Sequence, residues 1–279
     1  MRPAFLSTIH THTTFCDGKA TAADMAKTAK DLGFVSYGFS AHAPLPYEND
    51  WAMREEDIPL YIRTIRELKA QYENQMEIYL GIELDADSRI DCTPYEYVIG
   101  SLHTLHKDGM SFPVDCDRGL LVRCRDELFG GDFMALMRYY YESLYHFVQN
   151  SRFDVLGHFD LPLKYNKNGI FLDETDPKYQ KMSLEMLDAI IDCRSDLIFE
   201  INTGGILRAS RPYAYPAPVL LSRLAERGVR MTMTSDAHRP EGIDASYDTT
   251  CRQLTELGIH TLWRLQGGKF TEVPHSLPN

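Results

Sequence analysis

Strand-like and helix-like segments alternate from one end of this chain to the other. Residues 5–11, 35–41, 77–84, 97–102, 154–157, 197–202 and 230–234 are short, apolar and rich in β-branched or aromatic side chains, which suits strands. Helical spacing marks 21–32, 55–72, 132–148, 178–194, 216–227 and 245–257; Ile58, Tyr61, Ile62, Ile65 and Leu68 show it in the second of these. Thr21 is a suitable N-cap and Gly33 a suitable stop, while Pro216 and Gly228 bracket a later helix. Strands that alternate with helices pack as a parallel sheet. About seven such repeats fit a closed or distorted barrel better than an open sheet. No linker-like composition break divides the chain, so one domain over residues 1–279 is expected. Residues 106–131 are the least regular stretch and are expected to form a lid or substrate wall. A terminal hairpin is expected over 261–265 and 269–273, turning at Gly267-Gly268.

The ends of these strands carry the chemistry. His10 and His12 close the first, and Asp17 follows in the next loop. His42, Glu83, His103 and His158 close four more, and Asp236 and His238 follow the last. In extended chain, residues i and i+2 face the same way, so His10 with His12, and Asp236 with His238, are expected to converge in pairs. In a barrel of this kind the carboxyl ends of the strands meet on one face. A single histidine at a strand end is more often structural, and a lone HxH is a weak signal. Repetition of one ligand chemistry at one position in successive repeats is what points to metal. Six imidazoles and three carboxylates exceed the needs of one tetrahedral ion and suit two to three ions of Zn²⁺, Mn²⁺ or Fe²⁺. His106, His146, His260 and His275 fall outside the pattern.

Net charge is −11, which opposes a general nucleic-acid surface, where Lys and Arg must neutralise phosphates. Three divalent cations would offset about half of it. No apolar stretch reaches transmembrane length, and the N-terminus lacks a signal pattern. The six cysteines form no CxxC pair, so reduced thiols in a cytoplasm are expected. Cys16 lies beside the expected site, but soft thiolate sites normally recruit several thiolates together.

His10-Thr-His12 with Asp17-Gly18, Ser40-Ala-His42, Gly81-Ile-Glu83, Ser101-Leu-His103, Gly157-His158 and Ser235-Asp236-Ala-His238 together resemble the polymerase and histidinol phosphatase (PHP) family. The resemblance covers nearly the whole chain. It implies a distorted (β/α)7 TIM-like barrel and a trinuclear centre. His10, His12, Glu83 and Asp236 would hold one ion. Glu83, His103 and His158 would hold a second, with Glu83 bridging. Asp17, His42 and His238 would hold the third. The stretches 139–142, 153–161 and 200–205, with Tyr215-Pro216, are most similar to the family's histidinol-phosphate phosphatases. That branch implies hydrolysis of a small phosphorylated metabolite, L-histidinol phosphate, in histidine biosynthesis. One departure stands out: no arginine follows the His158 motif, and Lys164, Arg208 or Arg211 is expected to bind the phosphate instead.

The expected nucleophile is a hydroxide between cations held by Glu83 and Asp236. A metal-bound water or a further acid would protonate the leaving group. Asp115 and Asp117 could meet a substrate amine, although a solvated loop face is the plainer reading. Asp160 could orient a ligand histidine or serve as a turn residue. Tyr139 to Tyr141 lie in a helix, which favours core packing. The alternatives are a phosphodiesterase or nuclease on small nucleotides, and a non-catalytic metal-binding module.

Overall fold

The computed structural model describes residues 6–209 and 211–275. Seven parallel strands stand in the order β1 (Leu6–Thr8), β2 (Phe34–Phe39), β3 (Glu77–Asp85), β4 (Tyr97–Ser101), β7 (Val155–Leu156), β8 (Ile198–Asn202) and β9 (Arg230–Thr234). Two antiparallel hairpins, β5 (Thr104–Lys107) with β6 (Met110–Pro113) and β10 (Thr261–Gln266) with β11 (Lys269–Pro274), lie outside that sheet. The helices are α1 (Ala22–Asp31), α2 (Ile58–Gln71), α3 (Arg118–Phe129), α4 (Phe133–Asn150), α5 (Pro177–Cys193), α6 (Gly204–Ala209), α7 (Pro218–Glu226) and α8 (Tyr247–Glu256). Past the strand ends, Thr11 bridges Ala237 in parallel, and His12 N donates to Ala237 O at 2.8 Å. The first and last strands therefore meet, and the sheet is a nearly closed barrel. Phe5, expected to start β1, lies outside the described residues.

Local chemistry explains the boundaries. Thr21 Oγ1 accepts from Asp24 N at 3.2 Å and caps α1, while Gly33 at φ 87° lets the chain leave it. The expected irregular stretch 106–131 is instead ordered. Asp108 and Gly109, both at positive φ, make the tight turn of β5–β6. Asp117 caps α3 by accepting from Leu120 N at 2.9 Å, and Gly130 ends it in the left-handed region. Sequence periodicity missed α3 because only Leu121 and Cys124 of its residues are buried. The short α6 was missed too, being under two turns long.

Two apolar clusters divide the core. One lies between sheet and helices and includes Tyr140 and Tyr141. The other is formed by Ile9, Tyr79, Tyr97, Ile99, Val155 and Ile198 of the strands with Leu265 of the terminal hairpin, and Phe270 packs against it. Tyr97 supports this inner cluster. Its hydroxyl donates to Ile9 O at 2.5 Å and Phe39 O at 2.9 Å, and its ring lies over Gly38 and Gly81. A Cβ on Gly81 would sit 2.1 Å from Tyr97 Cζ. Gly81→Ala should therefore cost about 1–3 kcal/mol of stability through overpacking. A lowered midpoint in chemical denaturation checks this, and an unchanged midpoint would refute the packing account.

Candidate metal centre

The parallel strands point their carboxyl ends at one cavity of about 350 Å³. Asp17, His42, Glu83, His103, His158, Asp236 and His238 line it, and His10 and His12 lie buried beneath. All nine expected ligands are thus brought together. Their ligand atoms fall into four overlapping groups, each within 4.8 Å: His12, Asp17, His42 and His238; His10, His12 and Glu83; His10, His158 and Asp236; and His42, Glu83 and His103.

Glu83 is at the centre. Its Oε2 lies 2.7 Å from His42 Nδ1, 3.2 Å from His10 Nε2 and 3.6 Å from His12 Nε2. Its Oε1 lies 3.1 Å from His158 Nε2 and 3.5 Å from His103 Nε2, and accepts from Ser101 Oγ at 2.6 Å. On the other side His12 Nε2 is 3.1 Å from Asp236 Oδ1, and His238 Nε2 is 3.1 Å from Asp17 Oδ2. Despite this proximity, His10 Nε2, His12 Nε2, His42 Nδ1, Asp17 Oδ1 and Glu83 Oε2 are buried without hydrogen-bond partners. Buried polar atoms are rarely left so. Nitrogen and oxygen lone pairs aimed into a shared space are what a divalent cation satisfies. The donor set fits such ions.

The Asp236–His238 pair converges by a different route from the one expected. β9 ends at Thr234, and Asp236 adopts φ 50°, a left-handed conformation uncommon for a side-chain-bearing residue. The chain is turned there, not extended. Asp236 joins His10 and His158, while His238 joins Asp17, His42 and His12.

Several residues that orient the ligands were not assigned from sequence. Asp85 Oδ2 accepts from His103 Nδ1 at 2.8 Å and His103 N at 3.2 Å. It is two residues beyond Glu83 on β3, a same-face spacing that could have revealed it. Glu200 Oε1 lies 2.5 Å from His10 Nδ1. Each carboxylate holds the proton on Nδ1 and turns Nε2 toward the cavity, the usual way a protein fixes a ligand tautomer. Trp51 stands edge-on to the His42 ring at 4.7 Å and the His103 ring at 5.4 Å.

The charges suit cation binding. Burial opposes ionisation of Glu83, but His10, His42 and His103 outweigh it and hold the carboxyl well below its ordinary range. The same contest, won by Arg208 and His10, keeps Asp236 ionised. Burial, with His238 and His42, lowers His12 to about 3, leaving it neutral. Burial also works against protonation of His103, yet Glu83 and Asp85 push it up to about 9. Cys16 Sγ is 3.4 Å from His12 Nδ1, and burial pushes its thiol up to about 12, so it offers no thiolate.

The three expected phosphate-binding residues part company. Lys164 lines the cavity, with Nζ donating to Asp115 O at 2.7 Å and Asp115 Oδ2 at 3.2 Å. Arg208 also lines it, with its guanidinium on Asp236 and His238. Arg211 does not line it. It is 5% exposed, 3.4 Å from Asp160 Oδ2 and 3.5 Å from Glu174 Oε2, and lies over the Tyr213 and Tyr215 rings. Two carboxylates and two aromatic faces hold it inside the protein. Asp160 consequently faces Arg211 and Ala217 N, not a ligand histidine. Asp115 lines the cavity, whereas Asp117 is spent on capping α3.

The PHP domain family model matches residues 8–204. A Deinococcus radiodurans protein named "Probable histidinol-phosphatase" is 30% identical over 265 residues, covering 91% of this chain and 94% of its own. The Bacillus subtilis "Histidinol-phosphatase" is 27% identical, covering 86% of this chain and 96% of its own. The solved structure of histidinol phosphate phosphatase from Lactococcus lactis, complexed with Zn, L-histidinol and phosphate, superposes with a TM-score of 0.69. It is 20% identical, and the match covers 95% of this chain and 98% of that one.

Proposed function

The chain belongs to the PHP domain family, and from that premise we propose that it is a metal-dependent phosphatase that hydrolyses L-histidinol phosphate to L-histidinol and phosphate. The observation that carries this reading is the convergence of six histidines and three carboxylates on the floor of a cavity that Lys164 and Arg208 also line. The donor set supports divalent cations; two or three of Zn²⁺, Mn²⁺ or Fe²⁺ is the count and identity we propose. His10, His12, Glu83 and Asp236 would hold one, Glu83, His103 and His158 a second, and Asp17, His42 and His238 a third.

Such cations supply Lewis acidity to the phosphoryl oxygens and lower the pKa of an attacking water. The protein does the rest. Ser101 donates to Glu83 Oε1 and fixes the carboxylate that five imidazoles face. Asp85 and Glu200 keep His103 and His10 in the tautomers that present Nε2. Lys164 reaches the cavity wall on a 3-10 turn, where a compact point charge can meet a phosphate oxygen. Arg208 also lines the cavity and brings its positive charge there while its guanidinium rests on Asp236 and His238. Together they stabilise the charge that phosphoryl transfer spreads over the equatorial oxygens. The cavity, of about 350 Å³, has the size that suits a small metabolite. No helix among the described residues is long and apolar enough to cross a membrane.

The test is phosphate release from histidinol phosphate, p-nitrophenyl phosphate and a bis-ester by protein reconstituted separately with Mn²⁺, Zn²⁺ and Fe²⁺. Preference for histidinol phosphate is the expected result. Preference for the bis-ester would overturn the monoesterase reading, and no hydrolysis with cations bound would make this a binding module.

A further inference from the structure

Glu200 reaches three of the expected ligands, two directly and one through Asn202. It is 1% exposed and sits on β8, and it belongs to none of the candidate ligand groups. Oε1 accepts from His10 Nδ1 at 2.5 Å and Thr234 Oγ1 at 2.6 Å. Oε2 accepts from the backbone N of His158 at 2.7 Å and from Asn202 Nδ2 at 3.1 Å. The same Asn202 Nδ2 donates to Asp236 Oδ2 at 3.1 Å. One carboxylate thus accepts four bonds, from β8 itself, from β9 and from the chain just beyond β1 and β7. Through them it fixes His10 and His158 directly and Asp236 through Asn202.

Asp85 is the natural contrast. It accepts from the ring and backbone of His103 and from Asp87 N, and no other ligand histidine bonds to it. It holds one ligand.

We propose that Glu200 is a positioning residue that couples neighbouring cation sites, because His10 belongs to two overlapping ligand groups, one with His12 and Glu83 and one with His158 and Asp236, and one buried carboxylate holds His10, His158 and, through Asn202, Asp236. Loading of the site that joins His10 to His12 and Glu83 then sets Glu200, and Glu200 sets the end of β7 that carries His158. Coupling of this kind is reciprocal: each ion raises the affinity for the other. A carboxylate suits the place because all four partners are donors. A glutamine would turn an NH2 toward at least one donor and leave that group unsatisfied.

This inference rests on the metal-centre reading, and the experiment separates the two. Metal-free wild type, Glu200→Gln and Asp85→Asn would be titrated with Mn²⁺ by calorimetry, and ions per chain counted after dialysis. Glu200→Gln should weaken binding about 10–100-fold, the usual effect of losing a group that orients ligands, and should affect at least two ions. Asp85→Asn should affect one. If Glu200→Gln affects one ion or none while the wild type loads normally, the coupling is wrong. If the wild type binds no Mn²⁺, the metal-centre reading itself fails. Should Glu200→Gln not fold, Thr234→Val removes one donor to Oε1 without changing charge or size. It should give the same two-ion loss at smaller amplitude, and an effect on a single ion would overturn the proposal.

Discussion

Glu83→Gln should abolish phosphate release, lowering kcat by about a thousandfold or more, the several kcal/mol that bound cations contribute to phosphoryl transfer. No other side chain in the cavity faces so many ligands. His10, His42, His103 and His158 all lie within 3.5 Å of its two oxygens. The amide loses the negative charge and offers one oxygen donor where the carboxylate offers two. Metal content should therefore fall with activity. The fold should survive, because Gln keeps the volume and can still accept from Ser101 Oγ. Circular dichroism and ion counting on the same sample decide the matter. A folded variant with full metal content and normal turnover would remove Glu83 from the centre.

Stripping the ions with a chelator should destabilise the protein, and the gap between loaded and metal-free protein should widen as pH rises. In the metal-free state burial opposes a protonated His103, but Glu83 and Asp85 hold its pKa up at about 9, against an ordinary 6.5. A raised folded-state pKa contributes stability that is fully present below 6.5 and is lost as pH climbs through about 9. The loaded protein runs the other way. With the histidines as ligands, lone pairs must be given to cations, so protons compete with metal and rising pH favours the loaded state. With free metal at about a hundred times Kd, loading adds about 2.7 kcal/mol. Thermal melts with Mn²⁺ or chelator, compared at about pH 6.5 and about pH 8.5, should show the larger separation at the higher pH. A separation that shrinks would mean that the histidines are not the ligands.

The fold was legible where local pattern decides it. The seven strands lie within residues of the expected ranges, and α1 starts at the cap that Thr21 announced. The terminal hairpin turns at Gly267 and Gly268, both at positive φ. The helix within 106–131 went unread because only Leu121 and Cys124 of it are buried, which leaves little periodic signal. The nine residues that gather at the cavity were legible as an inventory, because eight lie at or just beyond the end of a strand that can be read locally and Asp17 lies in the loop after the first.

Other features had no local signal. Arg211 is as basic as Arg208 and three residues away, yet one guanidinium is buried against Asp160 and the other lies over Asp236. Glu200 reads in sequence as one more strand residue. Its bond to His10 joins positions 190 apart, and that to Thr234 joins positions 34 apart. The sequence by itself determined the βα alternation and the ligand chemistry, since periodicity and strand ends are properties of neighbouring residues. Tertiary structure decided which ligands share a space, which arginine faces the cavity and which carboxylate braces the imidazoles. Those depend on closure of the barrel, which brings the chain beyond β1 against that beyond β9, and closure is a contact between residues that no local pattern relates.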